Sequence, residues 1–379
     1  MWIKKIELKN YRNYDSLKLE FSENLNIIIG DNAQGKTNLL ESIYVLAVTK
    51  SFLSIKDKGL IKFNNDFSLI KGLLKSKNGS KELNIKFNKN GKFVRANGKD
   101  IKKLSDYVSI MNVVIFSSDN IRIFKDSPSS RRKYFDIQIS QINKKYLRCL
   151  SDYNIILRQR NEFLKIINTS KKSDIDYFSI INNQYADLAI SIFKYRNEYI
   201  KNINKYLNDM FYYITGNEGL KLCYSSNIDN GDNDSLKEIL IEKLDKSFNN
   251  DVQYKMTFIG PNRDDFYFNL NDKNLSLYGS QGQIRSAVLA LKLSEVKLFT
   301  DLVGDSPILL LDDMFSELDI NKRNNILKYL NENVQTIITT TDIENIGEEI
   351  RKKANVYKIE EGKIISREIK LEQEGDINE

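Results

Sequence analysis

Near the start of the chain, Gly30-Asp31-Asn32-Ala33-Gln34-Gly35-Lys36-Thr37 has the spacing Gly-x-x-x-x-Gly-Lys-Thr, with Asn38 next. Two glycines so placed let successive backbone N–H groups turn toward one point, the lysine adds a point charge, and the threonine adds a hydroxyl suited to Mg²⁺. A nucleoside triphosphate such as ATP fits that cradle, with Lys36 on the β- and γ-phosphates and Thr37 on the metal. Far downstream, Pro307-Ile-Leu-Leu-Leu ends in Asp312-Asp313. An apolar run this short reads as a parallel strand buried on both faces, which delivers its last residues to the sheet edge where ligands bind. Asp312 is thus expected to share the Mg²⁺ with Thr37, and Asp313 to polarise an attacking water. Ser280-Gln281-Gly282-Gln283 stands just ahead of helical spacing from Ala287 to Phe299, so it reads as a second phosphate-facing helix start. Arg12, in the turn Asn10-Tyr11-Arg12-Asn13-Tyr14, has two readings: a phosphate contact presented from a strand end, or a solvated surface arginine.

These residues need elements to hold them. The apolar run Ile27 to Ile29 precedes the loop, and Leu39, Leu40, Ile43, Leu46 and Ala47 follow it at helical spacing, giving strand, loop, helix. Alternation over Trp2 to Lys9 and Leu17 to Phe21 predicts two earlier strands. From Phe67 to Ile101, three Asn-Gly pairs separate alternating runs and predict a small antiparallel lobe. Lys71 to Lys103 holds eleven basic residues against Glu82 and Asp100, so this lobe reads as either a solvated face or a phosphate-contacting one. After a buried strand at Met111 to Phe116, residues Tyr134 to Asn250 are mostly helical. Their stripes (Tyr146, Leu150, Tyr153, Leu157; Tyr185, Leu188, Ile192, Phe193) read as core rather than base-stacking platforms, on helices too short for a long coiled-coil arm. Strands are expected again at Phe266 to Leu270 and Val334 to Thr341, a helix start at Ser316 to Asp319, and a closing hairpin from Val356.

Bulk properties narrow the class. At 379 residues and 41% hydrophobic content the chain can bury two or three cores. With no histidine, it cannot run Ser-His, Cys-His or His-metal chemistry. Cys149 and Cys223 lack CxxC spacing and read as buried free thiols. No apolar run approaches the roughly 20 residues that span a bilayer, and the charged, alternating N-terminus is no signal peptide, so a cytoplasmic protein without a membrane partner is expected. The net charge of +7, concentrated in the lobe, suggests a polyanionic partner.

The phosphate loop, SQGQ, LLLDD and SELD, in that order, resemble an ABC-type ATPase head of the SMC/Rad50 kind. Within that class YLRCLSDYNIILRQRN (146 to 161), SPSSRR (127 to 132), GPNRDD (260 to 265), SQGQIRS (280 to 286) and LLLDDMFSELD (309 to 319) resemble the RecF family of bacterial recombination and repair proteins, over essentially the whole chain. The implied fold is α/β: an ABC-type P-loop ATPase head with an antiparallel β lobe and a mostly helical second domain. Its implied boundaries are 1–115 (first part of the head, with the basic lobe at about 67–103), 116–255 (helical lobe) and 256–379 (second part of the head). The resemblance further implies a weak ATPase that dimerises with ATP, Ser280 and Gly282 facing the partner's nucleotide, and Asp319 at the nucleotide. It also implies recognition of gapped DNA at single-strand/double-strand junctions, and action with RecO and RecR to load the RecA recombinase. The family usually has histidine where this chain has Asn262, and arginine near Leu53. A transporter's nucleotide-binding subunit is the competing class.

Overall fold

Alternation at the N-terminus gives β1 (Trp2–Tyr11) and β2 (Tyr14–Glu20), antiparallel with Leu8 opposite Leu17. The buried run that follows is β3 (Leu25–Ile29), and after the glycine-containing loop comes α1 (Lys36–Val48). This computed structural model describes residues 1–168, 170–228, 235–313, 326, 334–343 and 346–368, which divide into two units, 1–120 with 292–379 and 121–291.

In the first unit, β4 (Phe67–Ser76), β5 (Gly79–Asn88), β6 (Gly91–Ala96) and β7 (Lys99–Asp100) are antiparallel neighbours turning at the three Asn-Gly pairs. At Asn97-Gly98 both residues have positive φ, 48° and 75°, as a two-residue hairpin turn of matching twist requires. At the other two pairs only the glycine does, at 96° and 120°, and it opens the next strand. The expected antiparallel lobe is there, and because β4 also pairs with β1 its strands continue into one six-stranded sheet, β2-β1-β4-β5-β6-β7. Ile3, Ile6, Ile70, Leu74, Leu83 and Ile85 fill its inner face. That face meets α1 closely, since a Cβ on Gly72 would lie 2.3 Å from Leu46 Cδ2. The wholly buried β8 (Val113–Ser117) follows.

The second unit contains α2 (Pro128–Ile142), α3 (Lys144–Phe163), α4 (Lys172–Thr215), β9 (Leu220–Ser225), α5 (Leu236–Tyr254), β10 (Asp265–Leu270), β11 (Lys273–Asn274) and α6 (Leu275–Tyr278). The strands make a small sheet, β11-β10-β9. Tyr146, Tyr153, Tyr185, Ile192 and Phe193 are buried as expected, while Leu150, Leu157 and both cysteines are only half-buried. Helix length is corrected: α4 runs 44 residues, because nothing between Lys172 and Thr215 is glycine or proline, and it stops at Gly216 with φ 71°.

The SPSSRR and GPNRDD segments fasten to one another within this unit. Arg131 donates to Asp265 Oδ1 and Oδ2 at 2.7 and 2.6 Å, and Arg132 donates to the Asp264 carbonyl at 2.7 Å. The buried Asp264 side chain accepts from Tyr224 and lies 3.3 Å from Arg196, which also pairs with Asp136 at 2.9 Å. Asn262 accepts from the Tyr153 and Tyr185 hydroxyls at 2.9 and 3.0 Å and donates to the Thr257 carbonyl at 3.0 Å. An uncharged amide therefore satisfies this site.

α7 (Gln281–Val303) passes from the second unit's sequence range into the first unit's, which then adds β12 (Ile308–Asp312), β13 (Thr336–Thr340), β14 (Asn355–Glu360) and β15 (Lys363–Glu368). With β3 and β8 they form a six-stranded sheet, β15-β14-β3-β13-β12-β8, parallel from β14 to β8 and closed by the antiparallel β15. The expected helix at Ser316 to Asp319 lies outside the described residues. The units are drawn differently from the sequence-based boundaries: residues 256–291, grouped there with the head, carry β10, which pairs with β9 and joins the second unit.

Candidate nucleotide-binding site

Parallel pairing brings three strand ends level, with Asp312 opposite Thr339 on β13 and Thr340 opposite Ile29 on β3. The sheet's carboxyl edge thus gathers the phosphate loop and the two aspartates in one place. Thr37, at the start of α1, donates its hydroxyl to Asp312 Oδ1 at 3.0 Å across 275 residues of sequence, and Thr339 donates to the same oxygen at 2.8 Å. Burial pushes the Asp312 carboxyl's pKa up, against the hydrogen bonds from Thr339 and Thr37. Asp313 has φ 48°, a left-handed backbone that aspartate tolerates better than most residues, and its N–H donates to Thr339 Oγ1 at 3.1 Å.

The loop is shaped from several sides. Lys36 is buried, and its ammonium donates to the Gly30 and Asp31 carbonyls at 2.5 and 2.9 Å. Burial lowers its pKa, and Asp313, Asp312 and Asp31 pull it back up. Gly35 adopts φ 107°, and a Cβ there would sit 2.6 Å from Asn13 Nδ2 and 2.9 Å from the Tyr14 hydroxyl, so both conformation and space demand glycine. Tyr14 donates to the Gly35 carbonyl at 2.9 Å, and Asn38 donates to Asn13 Oδ1 at 2.8 Å. From the closing hairpin, the Glu361 N–H donates to Gln34 Oε1 at 2.5 Å and the Gly362 N–H to the Gln34 carbonyl at 3.2 Å. Asn32 and Ala33 complete the loop, Ala33 with φ 65°.

Arg12 stands at the β1–β2 turn with φ 53°. Its Nε lies 3.1 Å from Glu41 Oε2, and its terminal nitrogen donates to the Gly59 carbonyl at 3.2 Å. Glu41, fully buried on α1 one turn beyond Thr37, also accepts from Tyr11 at 3.0 Å and Ser51 at 2.5 Å. Sequence reasoning missed Glu41, Thr339, Asn13, Tyr14 and the Glu361–Gly362 turn. Glu41 falls on the side of α1 opposite the stripe Leu39, Leu40, Ile43, Leu46 and Ala47, where an acid draws no notice.

Ser280 and Gln283 satisfy one another at the start of α7: the Gln283 N–H donates to Ser280 Oγ at 3.2 Å and the Ser280 N–H to Gln283 Oε1 at 2.9 Å, a reciprocal cap. Ser280, Gln281, Gly282 and Gln283 are all exposed. They belong to the second unit and the phosphate loop to the first. Asp319 lies outside the described residues.

For a metal, the described residues hold no cluster of three acidic, histidine or cysteine side chains. The Thr37 hydroxyl and Asp312 carboxylate nonetheless fit Mg²⁺, which keeps several waters and takes one or two carboxylates plus phosphate oxygens.

Comparison with known proteins decides the family. The model described as RecF/RecN/SMC N terminal domain matches residues 2–365. The DNA replication and repair protein RecF of Streptococcus agalactiae is 42% identical over 371 residues, covering 98% of this chain and 99% of that one. The chain belongs to the RecF family of DNA replication and repair proteins. RecF of a Geobacillus species is 39% identical over 368 residues, 96% of this chain and 98% of that one. The solved structure of the recombination mediator protein RecF-ATP in the RecFOR pathway matches with a TM-score of 0.89 and 35% identity, covering 97% of this chain and 98% of that one. An Smc head bound to the C-winged helix domain of ScpA matches in fold alone, with a TM-score of 0.53 and 14% identity over 96% of both chains. The fold is therefore the mixed α/β head shared by RecF and SMC proteins. These matches do not favour the transporter subunit, and no helix among the described residues is long and apolar enough to cross a membrane.

Proposed function

We propose that this chain is an ATP-gated DNA-binding protein of recombinational repair. The observation that carries the reading is the 3.0 Å hydrogen bond from Thr37 to Asp312, which joins the phosphate loop to the acidic strand end. A RecF structure with ATP at 35% identity supports it. Gly30 to Asn38 wrap the triphosphate with backbone N–H groups, and Lys36 exchanges its two carbonyl partners for phosphate oxygens. Thr37 and Asp312 hold Mg²⁺, which when bound neutralises phosphate charge. Asp313 orients the attacking water and accepts its proton, and its short side chain suits slow turnover. Arg12, steered by Glu41, contacts the nucleotide.

ATP favours a homodimer by adding contacts that the free protein lacks, with Ser280 to Gln283 meeting the partner's nucleotide. Leu277 and Tyr278, each 74% exposed just before Ser280, supply apolar surface for that second copy. The dimer recognises gapped DNA at single-strand/double-strand junctions in the cytoplasm and works with RecR and RecO to load the RecA recombinase. Hydrolysis resets it.

Equilibrium binding of a fluorescent ATP analogue tests the site. Lys36→Met and Asp312→Asn should each weaken Mg²⁺-dependent binding at least about tenfold, a loss of one charged contact. Asp313→Asn should bind normally and hydrolyse at least about 100-fold more slowly. Unchanged affinity in Lys36→Met would remove the site assignment.

A further inference from the structure

The solvent-facing side of the sheet β2-β1-β4-β5-β6-β7 has an unusual composition. On an antiparallel sheet with one face packed, the other face is normally polar. Here Phe67, Leu69 and Leu73 on β4 point away from the buried set and are only half-buried, and Phe93 on β6 is 51% exposed. Strand register interleaves them with cations. One row across the sheet runs Lys9, Leu69, Lys86, Phe93, and the next runs Lys18, Glu7, Lys71, Asn84, Arg95. Arg95 is paired with Asp100 at 2.6 Å and Lys5 with Glu7 at 2.5 Å. Among the described residues no ion pair holds Lys9, Lys18, Lys71 or Lys86. Instead the ammonium groups of Lys86 and Lys9 lie 4.9 and 5.8 Å from the centre of the Phe67 ring.

We infer that this face binds single-stranded DNA, with a base stacked on Phe93 and phosphates on Lys9, Lys71 and Lys86. Charge selects a polyanion, and the apolar groups select among polyanions. A duplex offers its phosphates and hides its base faces, whereas an unpaired strand offers both, so an exposed ring among ammonium groups that no ion pair holds matches the strand. The surface extends beyond the basic hairpins, because Lys9 and Lys18 come from the N-terminal hairpin that shares the sheet. The inference rests on the proposed DNA-binding function and assigns it one surface, for the unpaired arm of a junction.

The test is fluorescence anisotropy on the full chain with labelled oligo(dT) and with a duplex of equal length, as a function of salt. Phe93→Ala should weaken oligo(dT) binding at least about fivefold and duplex binding less than about twofold, with an unchanged salt slope. Phe93→Tyr should retain wild-type binding. Lys9→Gln with Lys86→Gln should shrink the oligo(dT) salt slope by about 1.4, two phosphates' worth. If Phe93→Ala binds oligo(dT) like the wild type, or weakens both DNAs equally, the inference falls while DNA binding stands. Should Phe93→Ala instead leave DNA binding intact and change the molar mass by light scattering, the face belongs to a second copy. If the wild type binds neither DNA, the proposed DNA-binding function falls together with this inference.

Discussion

At Arg160 a full positive charge lies completely buried, 2.8 Å from the equally buried Asp251, and it donates to Asn182 and Thr257 at 2.8 and 2.7 Å. Removing one partner leaves the other charge buried and uncompensated, so Arg160→Met should cost about 3–5 kcal/mol in urea unfolding. Cys149 makes a gentler prediction. Burial pushes its thiol from the ordinary 9.0 up to about 11, so the protonated form is favoured. Alkylation by iodoacetamide at pH 8 should run about 100-fold below that of a free thiol and rise about tenfold per pH unit until near pH 11. A plateau near pH 9 would show an ordinary thiol. Residues of the phosphate loop were legible because their chemistry is written in contiguous spacing. Thr339 and Glu41 were not: Thr339 reaches Asp312 only through the register of β12 on β13, and Glu41 reaches Arg12 only once α1 packs beneath β1.

Elements, rather than single side chains, set the shape of the loop. Gly30 leaves β3 against the backbone of β14, where a Cβ would lie 2.4 Å from the Ile359 carbonyl oxygen. A backbone oxygen cannot swing aside, so Gly30→Ala should cost about 1–3 kcal/mol in unfolding and weaken nucleotide binding through the displaced loop. Equal stability and affinity in this variant would show that β14 does not constrain the loop. Strand types were readable from period-two alternation and from wholly apolar runs. Their partners were not, since nothing local in Lys71 to Lys103 announces that β4 pairs with β1. Helical periodicity over Tyr134 to Asn250 was readable, but the 44-residue span of α4 was not, since periodicity marks a helix without fixing its ends.

For the whole molecule, the net charge of +7 is carried largely on one sheet, while the phosphate loop and the Ser280 helix start belong to different units. A nucleotide that touches both motifs across two copies would couple ATP to assembly, and assembly to the DNA surface. The class was legible from motif order and the family from segments such as SPSSRR and GPNRDD, but a dimer is a property of surfaces, which spacing along the chain does not describe. Molar mass by light scattering, with and without Mg-ATP, tests that coupling most directly on wild type, Asp313→Asn and Ser280→Arg. The wild type should move from 44.1 kDa toward 88.2 kDa (2 × 44.1) with ATP. Asp313→Asn should hold the larger mass longer, and Ser280→Arg should bind ATP but stay at 44.1 kDa. A wild type that binds ATP and stays at 44.1 kDa, or a Ser280→Arg variant that doubles, would contradict the nucleotide-gated dimer.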